Sequence, residues 1–130
     1  MPSGDDRKLD FSRDKRLIKP AEYRRVFNAP QIKAHHKYAM VLAAPNDQPH
    51  GRLGLVVAKK HAKHAVERNR IKRLTREFFR KEGTNAPLDC VFLCKPGITD
   101  LSNRELSAVL RALWAKINNA LALAHNTPPA

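Results

Sequence analysis

Acidic residues are scarce in this chain of 130 residues: 12 Asp and Glu stand against 25 Lys and Arg, a formal charge of +13. A fold that keeps such an imbalance must offset it by apolar burial, and its outward field attracts polyanions, meaning nucleic acid or an acidic membrane surface. Long apolar runs are missing as well. The longest, Tyr38 to Ala44 and Leu53 to Ala58, fall far short of the roughly 20 residues that cross a bilayer, so no membrane partner is expected. The opening Met1-Pro2-Ser3-Gly4-Asp5-Asp6-Arg7-Lys8 lacks the apolar centre of a secretory signal, and its acids argue against an organelle transit peptide. A cytoplasmic protein is expected. Cysteine is limited to Cys90 and Cys94; on one strand this spacing puts them about 13 Å apart, beyond disulfide reach.

Catalytic constellations are absent from the pattern. The acids are scattered, and the adjacent Asp5 and Asp6 lie in a segment without a scaffold to hold a metal or general base. His35 and His36 are neighbours and His61 and His64 are three apart, but neither pair has a cysteine or carboxylate at zinc-ligand spacing. No protein-bound cofactor or metal is expected. Neither internal repeats nor low-complexity blocks occur, and 42% hydrophobic residues mark a globular chain.

One domain fits this length. Residues 1–16 alternate acids and bases with little apolar content and read as a flexible leader; residues 17–122 form the domain, and residues 123–130 are expected to fray. Pro20 opens a short helix that ends before Pro30, with Tyr23, Val26 and Phe27 on one face. Tyr38–Ala44 and Leu53–Ala58, separated by the turn formers Pro45 to Gly51, predict two antiparallel strands joined by a loop. A central helix follows over about His64 to Glu82, its narrow core stripe formed by Ile71, Leu74, Thr75 and Phe78, and Gly83 ends it. Leu88 to Cys94 is apolar on both pleat faces and reads as a buried strand. Ser102-Asn103-Arg104-Glu105 has the capping-box form, and Leu106, Val109, Leu110, Leu113, Trp114, Ile117 and Leu121 continue it as a long amphipathic helix. The fold class is α/β (α+β), a two-layer sandwich of a small mixed sheet and helices.

Charge concentrates in the segment that begins at Lys59 and Lys60 and continues through Lys63, Arg68, Arg70, Lys72, Arg73, Arg76, Arg80 and Lys81, with only Glu67 and Glu77 among them. At about 100° per residue, Asn69, Arg73, Arg76 and Arg80 share the face opposite Ile71, Leu74 and Phe78. Arg68 and Arg70 flank the helix start, where free amides and the macrodipole add attraction for phosphate. Guanidinium forks suit phosphate oxygens and stack on unpaired bases. A merely solvated face would alternate signs. Tyr23, Phe27 and Tyr38 are candidate stacking platforms for bases, with core packing as the competing role.

Gly54-Leu55-Val56-Val57-Ala58-Lys59-Lys60, followed by Ala65-Val66-Glu67-Arg68-Asn69-Arg70-Ile71-Lys72-Arg73-Leu74-Thr75-Arg76-Glu77, closely resembles the signature of the protein component of bacterial ribonuclease P. Phe11-Ser12-Arg13-Asp14-Lys15-Arg16-Leu17 and Glu22-Tyr23-Arg24-Arg25-Val26-Phe27 are similar to that family's amino-terminal segment. The resemblance covers about Phe11 to Ile117. It departs in the turn Lys60-His61-Ala62-Lys63-His64, where family members often carry glycine, and at Tyr23, where they often carry phenylalanine.

The resemblance implies an accessory protein to a catalytic RNA that, with magnesium ions, removes the 5′ leader from precursor tRNA. It implies that Lys59, Lys60, Arg68, Asn69, Arg70, Lys72, Arg73 and Arg76 face the RNA subunit, and that Lys19, Tyr23, Phe27 and Tyr38 contact the leader in a cleft between the first helix and the sheet. It also implies a left-handed crossover around the motif, against the usual hand. The expected partners are the catalytic RNA and precursor tRNA, with no obligate protein partner. A ribosomal or other structural RNA-binding protein of similar build is the alternative, and a protein-only nuclease a third possibility.

Overall fold

The computed structural model describes residues 15–84 and 86–126; the expected leader falls mostly outside them, as do the last four residues of the expected tail. The elements run α1 (Pro20–Asn28), β1 (Ile32–His35), β2 (Ala39–Pro45), β3 (Arg52–Val56), α2 (Ala65–Glu82), β4 (Leu88–Cys94), a 3-10 turn (Ile98–Asp100) and α3 (Asn103–Asn126). The expected helices are present, and the sheet is mixed as expected. The strand β1 is an addition: four residues with one buried side chain are too short to show a period.

Strand order is β1-β2-β4-β3, which corrects the expected hairpin between β2 and β3. β4 inserts between them, antiparallel to β2 with Leu42 opposite Val91, and parallel to β3 with Gly54 opposite Val91. The reason lies in β4 itself, whose residues are buried on both faces with Leu93 alone partly open. Such a strand is best placed in the sheet interior, and α2 supplies the crossover that a parallel β3–β4 pair requires.

Alternation divides the core into two layers. On one face Val41, Ala43, Leu53, Cys90 and Phe92 meet α2 and α3. There Trp114 lies 5.7 Å from Phe78 and 5.9 Å from Phe79 between ring centroids. Phe79, which the narrow stripe omitted, is buried, whereas Leu74 is only partly so. Thr75 is fully buried and its hydroxyl donates to the Ile71 carbonyl at 2.7 Å. The capping box forms as the sequence indicates: Glu105 N–H donates to Ser102 Oγ at 3.1 Å and Ser102 N–H to Glu105 Oε1 at 2.9 Å. On the opposite face Leu17, Val26, Leu42, Ala44 and Val91 form a smaller cluster beneath α1.

The nine-residue α1 is about 13 Å long and leaves Met40, Val56 and Leu93 partly open on its side of the sheet. What holds it there is an ion cluster that the sequence reading did not anticipate. Asp89 on β4 has no exposed surface; its carboxylate accepts from Arg52 Nε and Nη2, both at 2.8 Å, from Asn46 Nδ2 at 2.8 Å, and from Arg25 Nη2 of α1. Arg52 also donates to Glu22 of α1 at 2.9 Å. The two cysteines are buried and unpaired.

Candidate nucleic-acid interface

Arg16 and Leu17 extend the sheet past its edge: Leu17 N–H donates to the Leu53 carbonyl at 3.0 Å, and Arg16 bridges Leu53 in parallel. Between this segment, β3 and α2 opens a cleft of about 330 Å³ lined by Arg16, Leu17, Ile18, Tyr23, Leu53, Leu55, Lys72 and Arg76. Three cations and, among the described residues, no carboxylate line it. Burial and then the like charge of Arg16 lower the Arg76 pKa from its ordinary value, with Tyr23 acting the other way. The guanidinium stays protonated, and a partly buried cation beside a like charge is one that a bound anion would stabilise.

Tyr23 is fixed at the cleft wall. Its hydroxyl donates to the Leu17 carbonyl at 3.2 Å and accepts from Leu55 N–H at 3.3 Å. The ring packs so closely on β3 that a Cβ at Gly54 would stand 2.7 Å from its Cε2. Glycine there is a condition of the approach. Glu22 also braces the entry to α1, accepting from the backbone N–H groups of Lys19 at 2.8 Å and Ile18 at 2.9 Å. Its pKa is lowered, most by the Lys19 hydrogen bond, with burial opposing.

The cleft gathers Tyr23, Lys72 and Arg76 from among the residues singled out in the sequence and adds Arg16. Lys19, Phe27 and Tyr38 do not line it. Lys19 is exposed at the start of α1, and Phe27 is 40% exposed beyond Val26. Tyr38 packs instead against the α2–α3 side of the core, beside Gly97. Asn69 and Arg73 are exposed on α2, and Lys59 and Lys60 are exposed in the turn before it.

Arg68 and Arg70 have internal partners. Arg68 Nη1 donates to the carbonyls of Ala62 at 2.9 Å and Lys63 at 2.7 Å, closing the turn that leads into α2. That turn needs no glycine: among the described residues no side-chain-bearing residue has a positive φ. Arg70 donates to Asn103 Oδ1 at 2.7 Å and to the Leu101 carbonyl at 3.0 Å, tying α2 to the start of α3. Both are partly exposed and keep donors for an outside acceptor. The apolar floor of Met40, Val56 and Leu93 escaped sequence reasoning because alternation assigns these residues to a covered face, and only the shortness of α1 uncovers them.

Among the described residues no group of three or more His, Cys, Asp or Glu side chains could hold a metal ion, and no helix is long and apolar enough to cross a membrane. The family model described as Ribonuclease P matches residues 11–118 of the chain. The ribonuclease P protein component of Pseudoalteromonas translucida is 46% identical over 122 residues, 93% of this chain and 86% of that protein. That of Cronobacter sakazakii is 49% identical over 110 residues, 84% of this chain and 92% of the relative. Among solved structures, the RNase P protein of Staphylococcus aureus superposes with a TM-score of 0.69 at 27% identity, covering 82% of this chain and 94% of that one. That of Thermotoga maritima superposes with a TM-score of 0.63 at 25% identity, covering 82% and 94%.

Proposed function

Since this chain belongs to the ribonuclease P protein family, whose members are accessory subunits of a ribonucleoprotein endonuclease that matures the 5′ end of tRNA, we propose how its surface divides that work. The exposed face of α2, with Asn69 and Arg73, together with Lys59 and Lys60, binds the backbone of the catalytic RNA. Arg68 and Arg70 shape the turn and the helix pair that present this face, and their remaining donors reach the same RNA. The cleft takes a phosphate of the precursor's 5′ leader between Arg16, Lys72 and Arg76, and the adjoining half-covered sheet face, with Met40, Val56, Leu93 and Phe27, accommodates leader bases. Tyr23 forms the wall between the two.

The observation that carries this reading is the convergence of three cations, Arg16, Lys72 and Arg76, beside the aromatic wall of Tyr23 in one cleft. Held in that geometry, the cations lower the electrostatic cost of bringing one polyanion against another. Bond breaking stays with the RNA and its magnesium ions, in the bacterial cytoplasm. The test adds the purified chain to a bacterial ribonuclease P RNA at limiting magnesium with precursor tRNA. Correct mature 5′ ends should appear with chain and RNA together and not with either alone. Cleavage by the chain without RNA overturns the reading.

A further inference from the structure

Cations also gather at the edge of the sheet away from β3, around the turn between β1 and β2, and the interface above does not use them. Lys116 of α3 donates its ammonium to the His35 carbonyl, and Lys95, just after β4, donates to the His36 carbonyl at 2.9 Å. Lys37 sits 5.4 Å over the Tyr38 ring, which lies 5.9 Å from the His36 ring. The turn is fixed: His36 N–H donates to the Ala39 carbonyl and Lys95 N–H to the Tyr38 carbonyl, each at 2.9 Å. Tyr38 also closes against Gly97, which has a φ of 91° and where a Cβ would stand 3.1 Å from the ring, so that a side chain there would be strained and tightly packed.

Three lysines from different parts of the chain thus meet at one turn, and none of them ion-pairs with a carboxylate among the described residues. An ammonium resting on a carbonyl keeps its full charge and two of its three donors. Like charges held together on a rigid frame repel unless an anion joins them. β1 and β3 are the opposite edges of the sheet, three strand spacings or about 14 Å apart, so no single phosphate reaches both this turn and the cleft.

We propose that the β1–β2 turn is a second RNA-binding surface, on which Lys37, Lys95 and Lys116 take the sugar-phosphate backbone of a strand segment separate from that held at α2 and the cleft. The inference rests on the RNA-bound role proposed above, and its test separates the two. Both native cysteines are buried, with thiols pushed up to about 12 by burial, so an iron-EDTA reagent attached through Lys37→Cys reports from the turn alone. The full chain carrying it is assembled with catalytic RNA and precursor tRNA, beside a second probe at Ala65→Cys on the exposed start of α2. Strand scission from the turn is expected. Scission within the catalytic RNA identifies that molecule as the occupant, and scission within precursor tRNA identifies the substrate. Cutting from Ala65→Cys without cutting from Lys37→Cys overturns this inference alone; silence from both overturns the proposed function as well. Lys37→Glu, at an exposed side chain that loses only its contact with the Tyr38 ring, should weaken binding of the same RNA about threefold or more at physiological salt with Tm lowered by no more than a few degrees; equal affinity overturns the proposal.

Discussion

Asp89 shows how much of this protein's shape depends on a single side chain. It is fully buried, and α1 reaches it through Arg25 directly and through Glu22 by way of Arg52, itself 14% exposed. Burial pushes its pKa up, but the hydrogen bonds from Arg52 and Asn46 and the charges of Arg52 and Arg25 outweigh that, leaving it below the ordinary value of 3.8. A carboxyl whose folded-state pKa is depressed stabilises the fold fully above its unfolded value and loses that contribution as pH falls through the folded value. Stability should therefore hold near neutrality and decline below about pH 4. Asp89→Ala should remove most of that acid dependence. It also leaves the mostly buried Arg52 guanidinium with Glu22 as its remaining carboxylate among the described residues, at a cost on the order of 3 kcal/mol, lowering Tm by roughly 10 °C. Thermal melts of both proteins at pH 7 and pH 3 check this, and an Asp89→Ala protein as stable as the parent would show the cluster to be inert.

Within α2, the arginines divide into braces, Arg68 and Arg70, and contacts, of which Arg73 is the clearest. Arg70 holds Asn103 and the Leu101 carbonyl, whereas Arg73 projects from the exposed face with no hydrogen bond or ion pair among the described residues. Arg73→Ala should leave Tm unchanged and weaken catalytic-RNA binding by about tenfold or more, the effect of a lost charge-assisted contact. Arg70→Ala should lower Tm measurably as well, because the tie between α2 and α3 is lost. Melting curves paired with binding titrations separate these outcomes; identical behaviour of the two variants contradicts the division. Periodicity identified the element and its polar face because charge and apolarity alternate at helical spacing. It could not assign partners, since Arg70 finds its acceptors some 30 residues further along the chain, where no local pattern reports them.

Over the whole molecule, +13 is a property of the surface rather than of one site. Cations occupy α2, the cleft and the β1–β2 turn. RNA affinity should fall steeply with salt, the slope of log K against log[salt] being about −0.7 to −0.9 for each phosphate neutralised. A protein engaging several phosphates on separate surfaces should show a slope steeper than about −3. Titrations from low to physiological salt measure it, and a flat response would contradict an electrostatic interface.

The helices, the buried strand, the capping box and the polyanion-seeking charge were legible in the chain itself, for each is written in residues a few positions apart. So was the family, through the two runs Gly54 to Lys60 and Ala65 to Glu77 on either side of a divergent turn. Which strands are neighbours was decided only in three dimensions: apolar alternation says that a strand is covered, not what lies beside it, and β4 entered between two strands that sequence would have paired. The same holds for the separation of Tyr38 from Tyr23 onto different sides of the core, and for the approach of Arg16 to Arg76 across the edge of β3. These juxtapositions join residues far apart in the chain, and the strand pairing and helix packing that bring them together exist only once helix and sheet have met.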